Sequence, residues 1–151
     1  MQKRRYLGKK SSLPEFPNNF KLDTIENKTL EDYLIRITVP EFTSICPVTS
    51  QPDFAVIIID YSPKKKLVES KSLKLYMNSF RNIGIFHEEV TCKIGQYLHK
   101  SLKPKWIRIS GFFAPRGGIP IDIFWQKGKA HKSIFVPPIN AKEINKLNRY
   151  I

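Results

Sequence analysis

The chain has 151 residues, 41% of them hydrophobic, and carries 26 Lys and Arg against 13 Asp and Glu, a net charge of +13. That length suits one domain with a sizeable core. No apolar run approaches the roughly 20 residues that span a bilayer and the first 14 residues lack the apolar centre of a secretory leader, so a cytoplasmic protein is expected.

Residues 1–14 read as a basic, poorly ordered arm leaving through Ser11-Ser12-Leu13-Pro14, with residues 15–151 as a single domain. Leu34-Ile35-Arg36-Ile37-Thr38-Val39 is rich in β-branched residues and stops at Pro40, and residues 54–61 form a second apolar run closed by Ser62-Pro63, which makes two strands. Leu73, Met77 and Phe80 recur at helical spacing over residues 70–82, and Val90, Ile94, Tyr97 and Leu98 do so over 86–102, with a break at Asn82-Ile83-Gly84. Residues 106–113 and 119–125 read as strands joined through Pro115-Arg116-Gly117-Gly118, whose glycines permit positive φ. A short helix is expected over 139–151. The order ββααββ predicts an α+β fold, an antiparallel sheet with two helices on one face. Its other face needs cover, and Trp106, Phe112, Phe113, Phe124 and Trp125 offer more aromatic area than a monomer exposes comfortably, which points to a homo-oligomer.

The cations are 19 Lys and 7 Arg scattered along the chain. Base reading favours Arg forks and single-strand binding favours interleaved aromatics. Neither forms a compact motif, so direct nucleic-acid binding is not expected, and the charge reads as a solvated lysine surface that attracts anionic ligands. Two cysteines, without a Cys-x-x-Cys or His-x-x-x-His pair, give neither a disulfide framework nor a zinc signature.

The chemistry-bearing residues fall into four stretches. In Thr43-Ser44-Ile45-Cys46-Pro47-Val48-Thr49-Ser50-Gln51-Pro52-Asp53-Phe54 a thiol and a carboxylate lie seven residues apart on a chain stiffened by two prolines, which reads either as nucleophile and acid or as a packed cysteine before a strand. Glu69-Ser70-Lys71-Ser72-Leu73-Lys74 opens the first helix and reads either as a cap with surface lysines or as a phosphate site at free N–H groups. His87-Glu88-Glu89 opens the second, where carboxylates suit the helix dipole or accept from the amino and N–H groups of a guanine-like edge. The fourth is Pro115-Arg116-Gly117-Gly118. Cys92 reads as a packed thiol, with a protective disulfide to Cys46 as the alternative.

Taken together and in this order, the four stretches resemble the NADPH-dependent 7-cyano-7-deazaguanine reductases of queuosine biosynthesis, over about residues 15–127 and in the short, single-unit form. The resemblance implies the tunnelling fold, whose ββααββ units associate through their sheets into barrels with active sites between subunits. It implies Cys46 as the nucleophile that forms a covalent thioimidate with the nitrile carbon, and Asp53 as the proton donor. It assigns Val68, Glu69, Ser70, His87 and Glu88 to the deazaguanine, and Ser70, Lys71, Lys74, Arg116 and Gly117 to NADPH, two of which are used per amine. No metal is implied, and Ser50 stands where the family more often has glycine. A zinc-dependent cyclohydrolase on the same fold and a basic RNA-binding module are the competing readings.

Overall fold

The computed structural model describes residues 17–29 and 31–139; the basic arm and most of the expected terminal helix lie outside them. After a 3-10 turn at Pro17–Asn19 come β1 (Thr24–Glu26), β2 (Ile35–Ile45), β3 (Pro52–Ser62), β4 (Lys66–Val68), α1 (Ser70–Asn78), α2 (His87–Leu102), β5 (Trp106–Arg116) and β6 (Ile119–Gly128). Strands β2-β3-β5-β6 form one antiparallel sheet, and β1 pairs with β4 in a small second sheet that sequence periodicity did not reveal. Three-residue strands are too short to show a period.

The long strands alternate faces. Ala55, Ile57, Ile59 and Tyr61 of β3, with Ile107, Ile109 and Phe113 of β5, join one buried cluster with Leu73, Tyr76 and Met77 of α1 and Val90, Ile94 and Leu98 of α2. Both helices therefore cover the same face of the sheet, as expected. Burial of each Val, Leu, Ile, Phe or Met side chain among them is worth roughly 1.5–3 kcal/mol. Helix α2 approaches β6 closely because Gly95 lacks a side chain: a Cβ there would lie 2.6 Å from Cδ2 of Trp125. Gly95→Ala gains about 1 kcal/mol of helix propensity and forces an indole out of its seat. The expected net loss is about 1–3 kcal/mol, read as a lower melting temperature.

Several boundaries differ from the sequence pattern. Strand β2 runs on past Pro40 to Ile45 through an irregularity between Val39 and Phe42. It is an edge strand, so the missing proline N–H breaks no central ladder. Helix α1 ends at Asn78 rather than near 82. The Ser79 hydroxyl donates to the Tyr76 carbonyl at 2.6 Å and its N–H to Leu75 at 3.0 Å, and the chain continues as turns. The aromatic argument for an oligomer also weakens. Trp106, Phe112 and Phe113 are buried within this one chain, Trp125 packs under α2, and of the five only Phe124 is strongly exposed.

On the face away from the helices, Val56, Ile58 and Phe112 are covered in part by Ile139. The chain after β6 crosses back over this face. Arg36 of β2 donates to the carbonyls of Pro137 (2.6 Å) and Pro138 (3.4 Å), and to the fully buried Asp60, which also accepts from Arg108 at 2.7 Å. A carboxylate held by two guanidiniums is the arrangement that makes a buried charge tolerable.

Candidate active site

Cys46 stands one residue past the end of β2, where the chain turns toward β3. Its N–H donates to the Gln51 carbonyl (2.9 Å) and its own carbonyl accepts from Ser50 N–H (3.0 Å), closing a tight loop. The loop obliges Ser50 to adopt φ +57°, the left-handed region that glycine occupies without penalty. Glycine, which the sequence resemblance leads one to expect there, would hold that conformation without the penalty. On the other side of the strand end, Ile45 N–H donates to Ile83 and Ile45 carbonyl accepts from Ile85 N–H, at 3.0 and 2.9 Å. That clamp ties the α1–α2 connection to the residue before the thiol and sets His87, two residues beyond Ile85, beside it.

The side chain of Cys46 is buried at 4% exposure and its thiol is lowered to about 6. The Thr49 hydroxyl is the largest cause, followed by the Thr49 N–H, the Arg116 guanidinium and the Val48 N–H, against the opposing effect of burial. Donors aimed at sulfur favour the thiolate, the form that attacks an electrophile. At neutral pH the sulfur is therefore mostly ionised. Its alkylation by iodoacetamide should rise with pH through about 6 and then level off. In Thr49→Val that rise should move to higher pH, with alkylation at pH 6 slowed several-fold; a pH series of alkylation rates by intact mass checks it.

Asp53 lies on β3 directly opposite Ser44 of β2, and alternation places it on the same, helix-covered face as Cys46. Arg116, at the end of β5, donates to Asp53 Oδ1 as well as to the sulfur, so one guanidinium spans both groups. On the far side of the carboxylate, His87 Nε2 lies 3.1 Å from Oδ2, within ion-pair range but off the hydrogen-bond direction. The His87 ring is stacked on Phe113 with centroids 4.0 Å apart and an interplanar angle of 11°, which fixes its plane. Ser44 Oγ is buried and has no hydrogen-bond partner among the described residues.

The structure thus gathers Cys46, Asp53, His87 and Arg116 from β2, β3, α2 and β5. Glu88 follows His87 on the exposed side of α2, and Gly117 and Gly118 form the positive-φ turn beyond Arg116. Val68, Glu69, Ser70, Lys71 and Lys74 lie instead along β4 and the start of α1. That helix runs nine residues, about 13 Å, before the chain reaches the Ile45 clamp. The Glu69 carboxylate caps α1, accepting from Lys71 N–H (3.0 Å) and Ser72 N–H (2.7 Å). Two of the N–H groups that sequence reading offered to a phosphate are therefore already bonded, and any anion here must rely on the side chains. Cys46 and Cys92 are both free thiols.

Thr49 and Ser44 were not singled out from the sequence. Both stand inside the Cys46 stretch, and a hydroxyl three residues beyond a loop thiol was the available signal. Among the described residues no three His, Cys, Asp or Glu side chains gather as a metal site, and no helix is long and apolar enough to cross a membrane.

Comparison with known proteins gives a consistent picture. The family described as QueF-like protein matches residues 52–132. A protein of Bradyrhizobium sp. strain BTAi1 named NADPH-dependent 7-cyano-7-deazaguanine reductase is 58% identical over 132 residues, 87% of this chain and 84% of that one. A protein of the same name from Methylorubrum extorquens strain PA1 is 54% identical over 134 residues, 88% of each. Among solved structures, the archaeosine synthase QueF-Like in its apo form superposes with a TM-score of 0.60, covering 64% of this chain and 94% of that one. At 19% identity that likeness speaks for the fold alone.

Proposed function

The chain belongs to the family of NADPH-dependent 7-cyano-7-deazaguanine reductases and is an oxidoreductase; from that premise we propose that it reduces the nitrile to the primary amine through a covalent thioimidate on Cys46. The observation that carries this reading is the convergence of Thr49 and Arg116 on a buried thiol, with Asp53 held by the same guanidinium.

A nitrile accepts hydride poorly. Addition of the Cys46 thiolate to its carbon, with transfer of a proton from Asp53 to its nitrogen, yields a thioimidate whose carbon is more electrophilic. Arg116 holds the sulfur and the carboxylate in register for both events. His87, braced on Phe113, sits where it can receive or return a proton at Asp53 Oδ2. Glu88, with Val68, Glu69 and Ser70, is proposed to hold the deazaguanine, the carboxylate accepting from its guanine-like edge.

The chain suits NADPH as co-substrate. An added Cβ at Gly117 or Gly118 would meet nothing within 4 Å, so the backbone there is open to a phosphate, and Arg116, Lys71 and Lys74, with Ser70, bring donors. When bound, NADPH supplies hydride, twice for each amine. Because Val68, just before α1, bonds the Tyr61 hydroxyl at the far end of β3 from Asp53, we propose that two copies complete each site, in a barrel of tunnelling-fold units. The work is assigned to the cytoplasm and to queuosine formation in tRNA.

The test is loss of NADPH absorbance on adding 7-cyano-7-deazaguanine, with the product identified by mass. Two NADPH consumed per amine supports the reading; no turnover by folded protein that still binds NADPH overturns it.

A further inference from the structure

The lysines that look scattered along the sequence converge in the fold. Ser62, Trp106 and Gly128 are neighbours across β3, β5 and β6 at one end of the sheet. The Lys64-Lys65-Lys66 turn leaves β3 there, held by Asn27, which bonds the Lys64 and Lys65 carbonyls. Helix α2 ends at the same place, its Lys103 N–H bonded to His99, and Lys105 N–H bonds the Ser62 carbonyl. Lys64, Lys100, Lys103 and Lys105 with His99 and Pro104 line a single concavity. His87 opens α2 and Leu102 closes it, so this basic end and the thiol site stand at opposite ends of a helix about 24 Å long.

The helix dipole accounts for cations near the α2 C-terminus but not for the turn at Lys64–Lys66, which belongs to another element. Local acids meet part of it, Glu26 standing opposite Lys66 across β1 and β4. Asp32 pairs with Lys105, while Lys64, Lys65, Lys100 and Lys103 are exposed. Cations from two separate segments, the turn after β3 and the stretch from the end of α2 to Lys105, facing one hollow raise the local potential more than the same charges dispersed.

We propose that this end of the domain docks the phosphate backbone of a nucleic acid without reading its sequence. The residues are lysines, compact point charges that position phosphates, and the concavity contains no arginine fork to read base edges. Val48, Phe86 and Ile119, all exposed, stand at the opposite end, around the thiol, and near the basic end the exposed Phe135, four residues beyond the His131 that lies 3.7 Å from Asp32, is a single apolar side chain rather than an apolar face for a lipid surface. The sequence reading of a solvated lysine surface that attracts anionic ligands gains a location here, because the fold gathers four of the lysines. This proposal does not depend on the reductase mechanism.

Four neutralised phosphates give log Kd a slope of about 3 to 4 against log salt. The test is fluorescence anisotropy of a labelled 20-base-pair RNA duplex and a DNA duplex of arbitrary sequence, from 50 to 200 mM salt, with wild-type protein and the variant Lys64→Gln/Lys100→Gln/Lys103→Gln. Binding to both duplexes with that slope is expected, with the variant about 10-fold weaker or more at 50 mM and its slope lower by about 2 to 3. An unchanged melting temperature keeps the comparison fair; should the triple variant fold poorly, Lys64→Gln and Lys100→Gln are each expected to lower the slope by about 1. No salt-dependent binding by the wild type, equal slopes in wild type and variants, or binding only to anionic lipid vesicles would overturn the proposal.

Discussion

Cys46→Ala should lose nitrile-dependent NADPH oxidation by a factor on the order of 10³ or more, and no covalent adduct should appear in its intact mass. The size of the effect follows from the chemistry: without sulfur there is no thioimidate, and direct hydride addition to an unactivated nitrile is what the covalent route avoids. The substitution removes one buried atom, at a cost of about 1 kcal/mol. Fold and NADPH affinity should therefore survive, and a melting curve beside the assay separates lost chemistry from lost structure. Adduct-free turnover at the wild-type rate would eliminate Cys46 as nucleophile.

Asp53→Asn is expected to lower the rate of adduct formation by roughly 10²–10⁴, the range of a positioned general acid, while leaving alkylation of Cys46 at neutral pH nearly unchanged. The two readouts separate because the donors that lower the thiol are Thr49, Arg116 and Val48, not Asp53. Asparagine keeps an oxygen for Arg116 and loses the transferable proton. Stopped-flow mixing with 7-cyano-7-deazaguanine followed by intact mass measures adduct formation; an undiminished rate would reject Asp53 as the acid.

Much of this was legible because the signals are local. The apolar runs over 54–61 and 106–113 and the 3.6 period over 86–102 come from long elements with extensive burial, and these are the elements found. Boundaries failed where tertiary context decided them. Pro40 stops a central strand but is harmless on an edge, and Asn82 lies beyond a helix that Ser79 had already ended. The thiol and acid were visible as a spaced pair, yet nothing in the sequence placed Arg116 between them. That depends on β5 lying beside β3, a long-range pairing. Glu69 was visible as a cap and as a ligand at once, and the folded chain shows the cap bonds to Lys71 and Ser72 N–H. Nor did the sequence show that Lys64, Lys100, Lys103 and Lys105 line one concavity, since distance along the chain says little about distance across a sheet end.

The clamp at Ile45 bears on the life of the protein before it is finished. Residues 83–85 must be in place before the strand end that carries Cys46 is held from both sides, and Arg116 joins from still later in the chain. A chain emerging from the ribosome or caught half-unfolded therefore carries an ordinary, sluggish thiol. Susceptibility to oxidants and stray electrophiles arrives only with the completed domain, in which little of the residue is exposed.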